Sequence, residues 1–193
     1  VIAERSTLAL NSAMLSGSGF ASGDFYTGAI VDGSTACCGF ETDHESAGTW
    51  LQVDLGAGNT QAVVEARIYA ATANYPGNWT VQYSDNASTW TAAAINFVPS
   101  RLGWNATGWA SVGAHRYWRL YLTNTPGPGG WLNELQLVAE TNYVFFNGKR
   151  VARRDPSGAV HYYLSDHLGS TTMVVSAAGA IENESIITPG AAS

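Results

Sequence analysis

Apolar residues recur at every second position in several short windows of this chain. In WTVQYSD from residue 79, Trp79, Val81 and Tyr83 share one face, while Thr80, Gln82 and Ser84 share the other. In YWRLYLTN from residue 117, Trp118, Leu120 and Leu122 point one way and Tyr117, Arg119 and Tyr121 the other. TWLQVDL from 49, AVVEARIYA from 62 and WLNELQLVA from 131 read the same way. Gly, Asn and Pro mark loops at LSGSGFASGD from 15, GAGNT from 56, ANYPGN from 73, SDNAS from 84 and NTPGPGG from 124. No segment holds a helical period with caps. Short strands at this spacing predict an all-β sandwich or jelly roll over residues 1–139.

The tail has a different rhythm. Gly148, Gly158, Gly169, Gly179 and Gly190 are spaced by 10, 11, 10 and 11 residues. Between them lie runs rich in β-branched and aromatic residues. A strand of about seven residues plus a glycine-bearing turn gives this period, so residues 140–193 predict a β-meander. Three turns look alike: DPSG from 155, DHLG from 166 and SAAG from 176. AETN from 139 reads as a hinge between the two units.

Composition narrows the function classes. Charged residues make up 12 % of the 193, while seven Trp and nine Tyr are many for this length. That profile suits an extracellular β-protein. The net charge of -6 argues against nucleic acid, which needs a basic footprint. No apolar run approaches the roughly 20 residues of a membrane helix, so membrane insertion is not expected. The two cysteines, Cys37 and Cys38, are adjacent. They read as small buried residues, as a strained vicinal disulfide, or as one partner in an interchain bond.

The order AIVDGST from 29, TWLQVDLG from 49, NWTVQYSDNASTW from 78, RYWRLYLTN from 116 and LNELQLV from 132 resembles the discoidin family. These are also called coagulation-factor type C, or galactose-binding-like, domains. The resemblance spans residues 6–139. It implies an eight-stranded jelly roll that binds ligands through loops at one end, with sugars, lipids or collagen among the family's ligands. It also implies a structural calcium ion between Asp32 and Glu134, helped by Thr35 or Ser34 and by loop carbonyls such as that of Ala29. Hard cations want such oxygen sets. A plain turn at Asp32-Gly33 is the alternative.

A sugar site needs an aromatic platform and planar polar groups. Trp50, Trp90 and Trp118 read as core. Tyr75, Trp104, Trp109 and Trp131 lie in loop-like segments and are the platform candidates, with Asn74, Arg101, Asn105 and His44 as polar partners. Each loop aromatic could instead pack over the end of the sandwich. Catalysis has little support. Asp166, His167 and Ser170 are near in sequence, but a triad is a matter of geometry. No nucleophile elbow, phosphate loop or zinc-protease motif occurs. The expectation is a non-enzymatic protein.

The stretch YVFFNGKRVARRDPSGAVHYYLSDHLGSTTMVVSAAGAI from residue 143 resembles the YD-repeat, RHS-associated core segment of large bacterial surface proteins, over residues 143–190. A short meander has open edges and needs cover. It can pack on its own sandwich, pair with another copy, or belong to something longer. Val1 and Ile2, or Ile186 and Ile187, could add as a strand to a neighbour. Two readings follow: a secreted surface protein that self-assembles into a filament through its tail or termini, or a glycan-binding adhesion module with its site in the sandwich loops.

Overall fold

The computed structural model describes residues 1–18, 26–36, 39–41, 46–71, 77–99, 102–125, 131–166 and 171–184. Cys37 and Cys38 lie outside them, as do Ile186 and Ile187. Among the described residues no helix is long and apolar enough to cross a membrane.

The alternating windows are strands of two facing sheets. The smaller sheet is ordered β2-β4-β9-β6-β7, with β2 Leu15–Ser18, β4 Trp50–Asp54, β6 Trp79–Ser84, β7 Thr91–Phe97 and β9 Tyr117–Leu122. The larger sheet contains β5 (Val63–Ala70) between β8 (Gly103–Gly108) and β10 (Trp131–Phe146). Inward residues of both sheets form one core. Trp79 and Trp118 are fully buried there, among Leu51, Val53, Ile68, Leu120, Leu122 and Leu132. This is the all-β sandwich that the alternation predicts. The segment expected as a loop at residue 15 instead begins with β2, whose Leu15 reaches the core.

Two expected core tryptophans are elsewhere. Trp50 alternates with the buried Leu51 and Val53, so it faces outward and is half-buried. Trp90 lies under the Arg119 guanidinium, 4.0 Å from its ring centroid. Arg119 also donates to Gln82 Oε1 at 2.6 Å. The aromatic just before β7 thus finds cover from a cation rather than from the opposite sheet.

The tail is an antiparallel meander of β11 (Lys149–Arg154), β12 (Val160–Ser165), β13 (Thr171–Ser176) and β14 (Ile181–Glu184). Two of the three look-alike turns are the same object. Asp155 N–H donates to Ala159 O and Gly158 N–H to Asp155 O; Ser176 N–H donates to Ala180 O and Gly179 N–H to Ser176 O. Gly158 and Gly179 have φ of +88° and +82°, which favours glycine. The third turn, with His167, Gly169 and Ser170, lies outside the described residues.

Residues 139–142, expected as a hinge, are interior to β10. That strand runs for 16 residues, pairing β5 through Ala139 and β11 from Asn142. On the opposite edge β1 (Ile2–Thr7) pairs with residues 138–143, and the two-residue β3 (Phe40–Glu41) pairs with residues 131–132. The N-terminal strand is therefore spent on its own sheet. Ile2 pairs with Tyr143, which replaces the expectation that this end is free to add to a neighbour.

The β11–β12 turn also grips the sandwich. Pro156 O accepts from Ala62 N–H, Ser157 O accepts from the Thr60 hydroxyl at 3.0 Å, and Gly158 lies against Ala114. Of the three ways to cover the meander, packing on its own sandwich is in part realised.

One ion pair fixes the end of β4. Asp54 accepts from Arg116 Nε at 2.7 Å, from its Nη2 at 2.8 Å and from Gly56 N–H at 2.8 Å. The guanidinium holds the Asp54 carboxyl below its ordinary pKa. A depressed folded pKa gives stability that is full above the unfolded value of about 3.9 and is lost as pH falls through the folded value. Asp54→Asn should thus melt a few degrees lower than the parent at neutral pH. The gap should close in thermal scans taken below about pH 3; a gap independent of pH contradicts the assignment.

Candidate functional site

Strand pairing decides which loops meet. β5 ends at Ala70, opposite Gly103 at the start of β8 and Leu132 at the start of β10. In the other sheet β4 starts at Trp50 opposite Tyr121, and β6 starts at Trp79 opposite Leu122. The strand ends that flank residues 42–49, 71–78, 98–102 and 123–130 therefore all lie at one end of the sandwich. These segments, with the first residues of β8 and β10, contain His44, Asn74, Tyr75, Arg101, Trp104 and Trp131. His44, Asn74, Tyr75 and Arg101 themselves lie outside the described residues, as does the side chain of Trp131. The topology brings their segments to a common end, which sequence reading could not do.

Trp104 is 40 % exposed and stands edge-on to Tyr69, with ring centroids 5.6 Å apart and planes at 79°. Asn105, its neighbour, is buried, and its Nδ2 donates to Gly103 O at 2.9 Å. That makes it a strand-end fastener rather than a ligand group.

Trp109 belongs to the opposite end, where β8 finishes. Its Nε1–H donates to Val63 O at 2.9 Å, and its ring stacks 6.0 Å from Trp118. It packs over the core and is not a platform. That end also stacks His115 on Tyr83 at 4.1 Å, with His115 Nδ1 3.0 Å from Asp85 Oδ2.

The Asp32 loop closes on β10. Leu135 N–H donates to Ile30 O at 2.7 Å, Gly33 N–H to Glu134 Oε2 at 3.1 Å, and Asn133 Nδ2 to Thr35 O at 2.9 Å. Asp32 Oδ1 accepts from Ser34 N–H at 2.7 Å, an Asx turn. Ala29 starts the approach, its N–H donating to Tyr26 O at 3.0 Å. Glu134 is 4 % exposed. Burial pushes its carboxyl up to about 7, against the Gly33 hydrogen bond and with the negative charge of Asp32 adding to the rise. Beside it runs a cleft lined by Leu8, Leu10, Asp32, Gly33 and Gln136. Among the described residues no group of three or more His, Cys, Asp or Glu could hold a metal ion. The pair Asp32 and Glu134 could hold one only with hydroxyl and backbone oxygens, a donor set that suits a hard cation in kind.

Residues 29–119 match the family of F5/8 type C domains described as the NedA-like, galactose-binding domain. Solved structures agree on the fold. Chitosan-binding module 1 of a chitosanase/glucanase from Paenibacillus sp. IK-5 is 22 % identical, with a TM-score of 0.53 over 68 % of this chain and 98 % of that one. Module 2 of the same enzyme, solved with chitotriose, is 19 % identical, with a TM-score of 0.52 over 67 % and 97 %. The family 32 carbohydrate-binding module of Clostridium perfringens NanJ, solved with galactose, is 14 % identical, with a TM-score of 0.54 over 70 % and 99 %. This chain thus shares its fold with those carbohydrate-binding modules. A search of curated proteins finds no significant match. The family match ends before the meander, and none of these comparisons bears on YD-repeat kinship.

Proposed function

We propose that the protein is a non-enzymatic, extracellular carbohydrate-binding module whose site is built by segments 42–49, 71–78, 98–102 and 123–130. The convergence of these segments at one end of a sandwich of this fold carries the reading. Their residue types suit sugar: Tyr75 and Trp131 offer apolar faces, and His44, Asn74 and Arg101 offer hydroxyl-binding groups. The bacterial structures of like fold, bound to chitotriose and galactose, support the ligand class. The intact chain should bind glycans on an array that includes chitosan oligomers and galactosides. His44→Ala, Arg101→Ala and Trp131→Ala should each weaken binding about tenfold or more without lowering the melting temperature. An array blank for the intact chain removes the function.

A structural calcium ion belongs to the same proposal. Asp32, Glu134, the Ser34 or Thr35 oxygens and the Ala29 carbonyl would hold it, and its charge would neutralise two adjacent carboxylates. Calcium should raise the melting temperature and excess chelator should lower it by mass action. Glu134→Gln should abolish that response. Equal melting in calcium and chelator, with no metal by elemental analysis, rejects the site.

A second reading, self-association through the tail, is favoured by one observation. Register places Val144, Ala152, Tyr162, Val175 and Ile181 in a single cross-strand row. Val144, Tyr162 and Ile181 are exposed, as are nearby Leu164 and Phe146. Five strands about 4.8 Å apart and about 20 Å long give a face on the order of 500 Å². That is below the roughly 800 Å² a side of a stable interface, so a second copy of this chain would pair through it only weakly. This replaces a free N-terminal strand as the joint and keeps a filament of YD-repeat type as the less supported alternative. Light scattering should show mass rising with concentration, and Phe146→Ser with Ile181→Ser should suppress it; a constant monomer mass excludes it.

A further inference from the structure

We infer that the outer face of the larger sheet carries a second carbohydrate-contact surface, running from Trp104 beside the loop end along β5 and β8, that takes a chain of several neutral sugar rings. The inference rests on the carbohydrate reading above but on different residues. Trp104 is the second residue of β8 and is paired in register with Tyr69 on β5. Both point away from the core, since their neighbours Asn105, Ile68 and Ala70 are buried. The edge-on contact with Tyr69 holds the indole in one orientation.

The bland account is that Trp104 merely roofs the sheet. The residues beside it do not fit that account. The next outward positions on β8 are Ala106 and Gly108, both exposed and too small to rise against the indole. β8 is the last strand of the larger sheet, so the indole stands above an open ledge at the sheet edge rather than in a packed roof. Along β5 the same face continues through Arg67 and Glu65. Glu65 accepts from Arg67 Nε at 2.5 Å and from Arg5 Nη1 at 3.4 Å, and Arg5 also pairs with Glu140 at 3.7 Å. Two guanidinium groups and two carboxylates are thus held in place before any ligand arrives. Fixed planar groups of this kind suit pairs of sugar hydroxyls.

Length and charge define the ligand. Outward residues on one strand repeat about every 6.7 Å, so the rows of Trp104–Tyr69, Arg67 and Glu65 span about 13 Å. That exceeds one pyranose ring. The network is balanced, Arg5 and Arg67 against Glu65 and Glu140, so the surface has no reason to select a strongly charged polymer.

The test compares the intact chain with Trp104→Ala, Trp104→Phe, Arg67→Gln and the loop variant His44→Ala. Calorimetry would use N-acetylchitohexaose, cellohexaose and a β-1,4-galactohexaose, each against its monosaccharide. For the hexasaccharide that binds, Trp104→Ala should lose about tenfold in affinity and Arg67→Gln several-fold, while Trp104→Phe keeps most of it. Monosaccharide binding should be unchanged in Trp104→Ala and reduced in His44→Ala. Because the indole is exposed, Trp104→Ala should fold as the parent does, and equal melting curves check it. Hexasaccharide affinity equal to the parent in Trp104→Ala, with loss in His44→Ala, overturns the sheet-face surface and leaves the loop site standing. Failure of the intact chain to bind any of the sugars overturns both.

Discussion

The structure depends on one strand being shared by two sequence rhythms. β10 begins at the loop end of the sandwich and finishes in the meander. Every backbone N–H and C=O along it needs a partner, and β10 finds them in β5 then β11 on one edge. On the other edge it finds β3, the Asp32 loop, Leu8 and β1. A hinge at residues 139–142 would have left such groups unpaired where the chain is most crowded. The continuous ladder satisfies them, and the Pro156 turn then ties the meander back to the sandwich at Ala62 and Thr60.

Sequence patterns were legible where one face of a strand enters the core. β4, β5 and β9 alternate cleanly because Leu51, Ile68 and Leu120 must be dry while their neighbours need not be. β1 was illegible for the converse reason. All six of its residues are exposed, so IAERST carries no alternation, and only its ladder to β10 makes it a strand. β8 hides between Gly103 and Gly108, and β7 holds three alanines in a row. Trp50 and Trp90 misled because hydrophobicity was taken to mean interior. Their sheet is instead covered on its outer side by Arg119, whose guanidinium sits over Trp90 and Tyr121.

The tail turns were legible through glycine, since a positive φ at Gly158 and Gly179 is a local demand that one residue type meets. The site was only half legible. Residue types named Trp104 and Trp109 equally, yet one is an exposed wall and the other donates to Val63 O inside the far end. The difference lies in which end of β8 each occupies, and that follows from long-range pairing with β5 rather than from local composition.

Position along β10 also gives the two units their relation. The converging segments leave the sandwich where β10 starts, whereas the Pro156 turn docks at the other end, beside Thr60, Ala62 and Ala114. The meander's apolar row continues from there, away from Trp104 and its segments. Contacts made through the tail therefore leave the loop end uncovered. A chain held by its meander would present the loop end outward. The shared strand makes that presentation stiff, because bending it would break ladder bonds to β1 and β11 together. Loop end and tail are thereby separate in position and joined through one continuous strand.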